Sequence, residues 1–362
     1  MQRLIDAGKS PEEAVELVAG AAMEAFDGTA PMLVRRLVDT APRMLRERGR
    51  SNRAFERRLR RDWGRALDLY YMILVGNEEV GEGFNGVNRP AAVERQDHLF
   101  EALVGLHARA CRTAAEVHHL LCGGFPMGAL ARCRTLHELA VTAIILADYG
   151  SRDEHNDLAE RYLLHEVVHA FGDAETYQKN YEAMGHEPFT DEDMATLTEQ
   201  RDALVDRFGK SFTSLYGWAA NLVGKTRPEF RHLERLAEVS HLRSYFRWAS
   251  HEVHADSKGL ALNVVERGGV AYMVAGRTNA GLAEPGHMAL ISLHQVTVSM
   301  LLSPEMPAML DVQALQAMRL LVERAGEAFD LAEESIAAAE ERFQARQAAR
   351  SRRWWQRRVP TL

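Results

Sequence analysis

The chain has 362 residues, 46% hydrophobic and 26% charged, with 26 Gly and 11 Pro, which excludes disordered and collagen-like polymers and leaves length for a sizeable core. A formal net charge of −7 excludes a polycation that coats nucleic acid over its whole surface. No run of about 18 uncharged apolar residues occurs, and the opening MQRLIDAGKSPEEAVELV has acids where a signal peptide needs an apolar stretch, so a cytoplasmic protein with no membrane partner is expected.

Apolar residues recur at three- and four-residue spacing through most of the length, so the sequence predicts an all-α, multi-helix bundle. Helices are expected over 11–26, 31–48, 52–77, 91–122, 126–149, 153–184, 191–223, 229–255, 286–302 and 310–349. The breaks are placed at Asp27-Gly28 and Pro31, at Gly49, at the Gly-rich stretch from Gly81 to Pro90, at Gly123-Gly124, at Gly150, and at Pro188 before Thr190-Asp191. The stretch NVVERGGVAYMV places two β-rich runs around Arg267-Gly268-Gly269 and predicts one small β-hairpin near 262–276. Three regions follow from composition: an Arg-rich helical arm over 1–90, a helical core domain over 91–302, and a C-terminal helix with a basic tail over 303–362.

Charge is unevenly spread. Between Arg35 and Arg65 there are 12 Arg against Asp39, Glu47, Glu56 and Asp62, and the last 22 residues hold seven Arg against Glu341 alone. The tail joins guanidinium groups to Trp354 and Trp355, a combination that neutralises phosphates and stacks on bases. RNA is therefore one expected partner of the Arg-rich segments; a solvated helix end or an acidic protein surface is the other reading. Cys111, Cys122 and Cys133 are odd in number and lack CxxC spacing, so they are read as reduced core thiols. Neither GxxxxGK[ST] nor a strand-anchored GxGxxG is present.

Three constellations could carry chemistry. The first is His165-Glu166-Val167-Val168-His169: on a helix, histidines four apart share a face and can hold one Zn, with Glu166 as base and Glu175 as third ligand. That is the HExxH pattern of zinc hydrolases and metalloproteases, although no strands lie upstream to hold a peptide substrate. The second is the pair of ExxH segments at Glu116–His119 and Glu166–His169, which with Glu138 and Asp68 would suit a di-iron bundle. The third is a set of polar residues in apolar helices: Arg132, Arg134, His137 and Glu138 in one, and Tyr245, Arg247, Ser250, His251 and His254 in another. Ionisable groups in such helices must be paired or face a cleft.

These last residues carry a resemblance. Gly123-Gly124, Arg134 with Glu138, and Tyr245 with Ser250 and His254 resemble an uncharacterised bacterial helical family known as domain of unknown function 5677, over roughly residues 90–300. It implies a helical bundle and no established reaction. The layout also looks like the HEPN helical nucleases, which carry Arg followed by His after four to six residues: Arg247 and His254 have six between them, Arg132 and His137 four. That resemblance implies a metal-independent endoribonuclease acting as a homodimer, a toxin or defence component, with Arg247, His254, Arg134 and Glu138 catalytic and no cofactor. A non-catalytic helical interaction module, in which Arg134, Glu138, Tyr245 and His254 form a buried polar network, is the competing expectation.

Overall fold

The computed structural model describes residues 5–255, 257–262, 264–267, 270–304 and 307–358. The expected all-α class holds: α1 (Pro11–Arg95), α2 (His98–Gly123), α3 (Pro126–Tyr149), α4 (Leu158–Leu164), α5 (Glu166–Met184), α6 (Asp191–Phe208), α7 (Ala220–Val223), α8 (Phe230–Leu236), α9 (Arg243–His251), α10 (Ser257–Leu262), α11 (Ala283–Leu301) and α12 (Met309–Arg358). Strands β1 (Val264–Arg267) and β2 (Val270–Met273) pair antiparallel with Val264 opposite Met273. The expected turn at Gly268-Gly269 and the chain end at 359–362 lie outside the described residues. Among the described residues no helix is long and apolar enough to cross a membrane.

The chain divides into two compact units, Met1–Arg58 and Leu59–Leu362. In the first, Ser10 and Glu13 cap α1 reciprocally: the Glu13 N–H donates to Ser10 Oγ at 3.2 Å and the Ser10 N–H to Glu13 Oε2 at 3.1 Å. The second holds the core. There α3 packs against α2 and α11, and α11 against α2 and α12. Small buried residues on α3 and α11, including Ala129, Cys133, Ala140 and Ala289, let their axes approach.

Helix α1 corrects the breaks expected at 26–31, 48–52 and 77–91: it is continuous. An isolated glycine costs a helix only about 1 kcal/mol, and two of those in α1 provide room rather than a break. A Cβ at Gly76 would sit 2.3 Å from Met318 Cε, and one at Gly81 would sit 2.4 Å from His107 Cε1. The segment expected as a loop is tied down by Arg89, which bonds Asn85 at 2.8 Å and Glu101 at 2.8 Å, and by Phe84 on Phe100.

The expected helices 153–184, 191–223 and 229–255 are each divided. His165 separates α4 from α5; Gly209, at φ 86°, ends α6; and the turn 237–242 separates α8 from α9. In each case a tertiary contact sits at the break. His165 bonds the Phe212 and Ser214 carbonyls, and Glu234 joins α8 to α9 through Arg243.

Two predictions arise from this packing. At Gly286 a Cβ would lie 2.6 Å from Phe329 Cζ, inside a fully buried ring, so Gly286→Ala is expected to cost about 1–3 kcal/mol in urea unfolding. Gly83→Ala, where a Cβ meets nothing within 4 Å, should leave stability unchanged or slightly raise it.

The second concerns His107, which burial pushes down from 6.5 to about 4. A base with a depressed pKa in the folded state binds fewer protons there than when unfolded. Its contribution is therefore complete above pH 6.5 and is lost as pH falls through about 4. Stability should drop by on the order of 3 kcal/mol across that window, and His107→Leu should flatten this part of the acid limb when unfolding free energy is measured against pH.

Candidate functional site

Helix α3 carries two polar layers into the second unit. The inner one is buried: His137 Nε2 bonds Glu234 Oε1 at 3.1 Å, and the other oxygen of Glu234 is ion-paired with Arg243. The His137 ring lies 5.7 Å from both Phe230 and Phe246, so apolar groups surround the pair. Glu234 is 0% exposed, and only two simultaneous partners make its burial tolerable.

The outer layer faces water. Arg134 Nη1 donates to His254 Nε2 at 3.4 Å, and Arg134 Nη2 lies 3.3 Å from Glu138 Oε1. Its guanidinium sits 5.0 Å over the Phe246 ring, which fixes its plane. The Arg134 Nε is buried and has no hydrogen-bond partner among the described residues. Burial raises the Glu138 carboxyl above its ordinary range, and Arg134 opposes that rise. A guanidinium can only donate, so the contact with His254 requires an imidazole with a free lone pair on Nε2, that is, a neutral ring.

Two open clefts border α9. One, of about 1110 Å³, has Arg134, Lys210, Arg227, Tyr216 and Glu229 among its walls. The other, of about 810 Å³, runs along α9 and is lined by Arg243, Arg247, Lys258, His251, Tyr245 and Trp248, with two serines. Among the described residues no carboxylate lines it, and Tyr245 and Trp248 are 41% and 40% exposed. Cations beside exposed aromatic faces make a surface suited to phosphate-linked, stackable ligands.

Arg134, Glu138 and His254 thus come together across 120 residues of sequence. Tyr245 lies in the adjoining cleft, while Ser250 Oγ donates to the Phe246 carbonyl at 2.8 Å within its own helix. Arg247 opens to the α9 cleft. Arg132 and His137 are engaged separately, Arg132 with Glu116 at 2.7 Å and His137 with Glu234. Glu234, Arg243, Lys210 and Arg227 were not singled out by the sequence, because charged residues in mixed polar segments carry no periodic signal.

The HExxH residues have a different geometry. His165 Nδ1 lies 3.1 Å from His169 Nε2, and His165 Nε2 lies 2.9 Å and 3.0 Å from the Phe212 and Ser214 oxygens. Carbonyls only accept, so Nε2 of His165 carries the proton and Nδ1 accepts from His169. Burial first, then His169, pushes the His165 imidazole down. Glu166 and Glu175 are exposed, and among the described residues no group of three or more His, Cys, Asp or Glu is placed to hold a metal ion. The pair therefore does not fit a zinc centre. Of the di-iron set, Glu116 pairs with Arg132 and Asp68 with Arg60.

Residues 100–270, which include Arg134, Glu138, Glu234 and His254, match the model of a family of unknown function (DUF5677). No curated protein and no solved structure matches the chain.

Proposed function

We propose that the α3–α9 face binds single-stranded RNA and cleaves it without a metal ion, by attack of a 2′-hydroxyl on the adjacent phosphate. The observation that carries this reading is the 3.4 Å contact between Arg134 and His254, with Glu138 beside them, at the rim of a cationic cleft. An arriving phosphate competes for the Arg134 Nη1 donor and releases the His254 Nε2 lone pair. The 2′-hydroxyl proton passes to that nitrogen as its oxygen bonds phosphorus. Arg134 offsets the charge that develops on the phosphorane oxygens. The P–O5′ bond breaks, the 5′ oxygen leaves with a proton from solvent, and the products are a 2′,3′-cyclic phosphate and a 5′-hydroxyl.

Glu138 holds the guanidinium in place. Arg243, Arg247 and Lys258 grip flanking phosphates, and Tyr245 and Trp248 offer faces to unpaired bases. The Arg247 to His254 spacing, which resembles that of HEPN nucleases, is compatible with this division of labour, and the Arg-rich segments add sequence-independent attraction.

The test is incubation of the purified protein with end-labelled single-stranded RNA and with DNA of the same sequence, in the presence of a chelator. RNA fragments ending in a cyclic phosphate are expected, with DNA left intact. Cleavage of both polymers, loss of activity on chelation, or an RNA left whole would refute the reading.

A further inference from the structure

The unit Met1–Arg58 presents an apolar face of its own. Twelve large apolar side chains between Val15 and Leu45 are 42–68% exposed. At about 100° per residue, Val15, Phe26, Leu33, Leu37 and Met44 fall within about 40° of one line along α1, and Arg35, Arg46, Arg53 and Arg57 project on the far side. A helix shaped this way needs an apolar partner along its length, since exposed contiguous patches of that size mark an interaction surface.

Charge identifies the partner. Residues 11–34 contain five acids and no cation, whereas residues 35–58 contain nine Arg against three acids. A second copy laid parallel would place like charges together over both halves. Laid antiparallel, the acidic half of each helix lies on the basic half of the other. The register that sets Leu33 opposite Leu37 of the second copy also sets Phe26 opposite Met44. An anionic lipid surface would attract only the second half and repel the first.

We propose that residues 11–58 form an antiparallel two-helix interface with the same segment of a second copy of this chain. The inference does not rest on the cleavage reading and concerns a different unit of the molecule.

Sedimentation of the full chain should give twice the 40.6 kDa chain mass in the micromolar range. Leu33→Asp combined with Leu37→Asp should weaken the dimer about 100-fold or more, with helicity by circular dichroism retained. Phe26→Cys combined with Met44→Cys should crosslink two copies on mild oxidation, and Phe26→Cys alone should not, because only an antiparallel pair in this register brings positions 26 and 44 together. A monomer, a dimer indifferent to the paired Leu33 and Leu37 changes, or a double cysteine variant that does not crosslink between copies overturns the proposal. So does a monomer that co-sediments with phosphatidylserine vesicles through Leu33 and Leu37.

Discussion

Glu234→Ala is expected to lower the unfolding free energy of the second unit by about 3–5 kcal/mol, the largest stability loss of any single substitution considered. Glu234 is fully buried and answers two donors at once, His137 from α3 and Arg243 from α9. An alanine removes the acceptor for both and leaves a buried imidazole N–H and a half-buried guanidinium without a counterion. It also unties α9 from α3, the contact that places Phe246 beneath Arg134. Glu234→Gln keeps an acceptor for His137 and loses the charge facing Arg243, so roughly half the loss is expected. Urea unfolding followed by tryptophan fluorescence measures both; a cost below about 1 kcal/mol for the alanine variant would show that the network does not hold these helices in register.

That network marks where the sequence was legible and where it was not. The all-α class was readable because helical periodicity is a local property, and Gly124 stops α2 because its backbone is left-handed at φ 75°. Gly28 and Gly49 misled because an isolated glycine costs a helix only about 1 kcal/mol, and Gly81 and Pro90 because breakers are tolerated when packing holds the backbone: whether Gly81 ends a helix or admits His107 is decided by α2. The convergence of Arg134, Glu138 and His254 was legible because charged groups in apolar helices must find partners. Glu234 was not, because RPEFRHLERLAEVSHLRSY reads as a solvated polar stretch, whereas in the fold Glu234 is buried and its partner His137 lies against Phe230 and Phe246. The HExxH spacing was legible as well, but spacing alone could not reveal that the Phe212 and Ser214 carbonyls occupy one face of His165.

Arg134→Ala and His254→Ala are each expected to reduce RNA cleavage by about 10²–10⁴-fold, through different losses. His254 is exposed and joined to the fold by the long bond to Arg134, so its alanine variant should unfold within about 0.5 kcal/mol of the parent and bind RNA nearly as tightly. Its defect falls on the proton transfer. Arg134 stacks on Phe246 and pairs with Glu138, so its loss should weaken both RNA binding and the chemical step; Arg134→Lys restores the charge but neither the planar donor fork nor the stacking, and should recover binding more than rate. Arg247→Ala, on the α9 cleft, should weaken binding and flatten its salt dependence while leaving the rate at saturating RNA close to the parent's. Single-turnover rates and filter-binding constants over a range of salt concentrations separate these effects. Full activity in His254→Ala would remove the proton-transfer role, and an Arg247→Ala defect confined to the saturated rate would move Arg247 into the reaction itself.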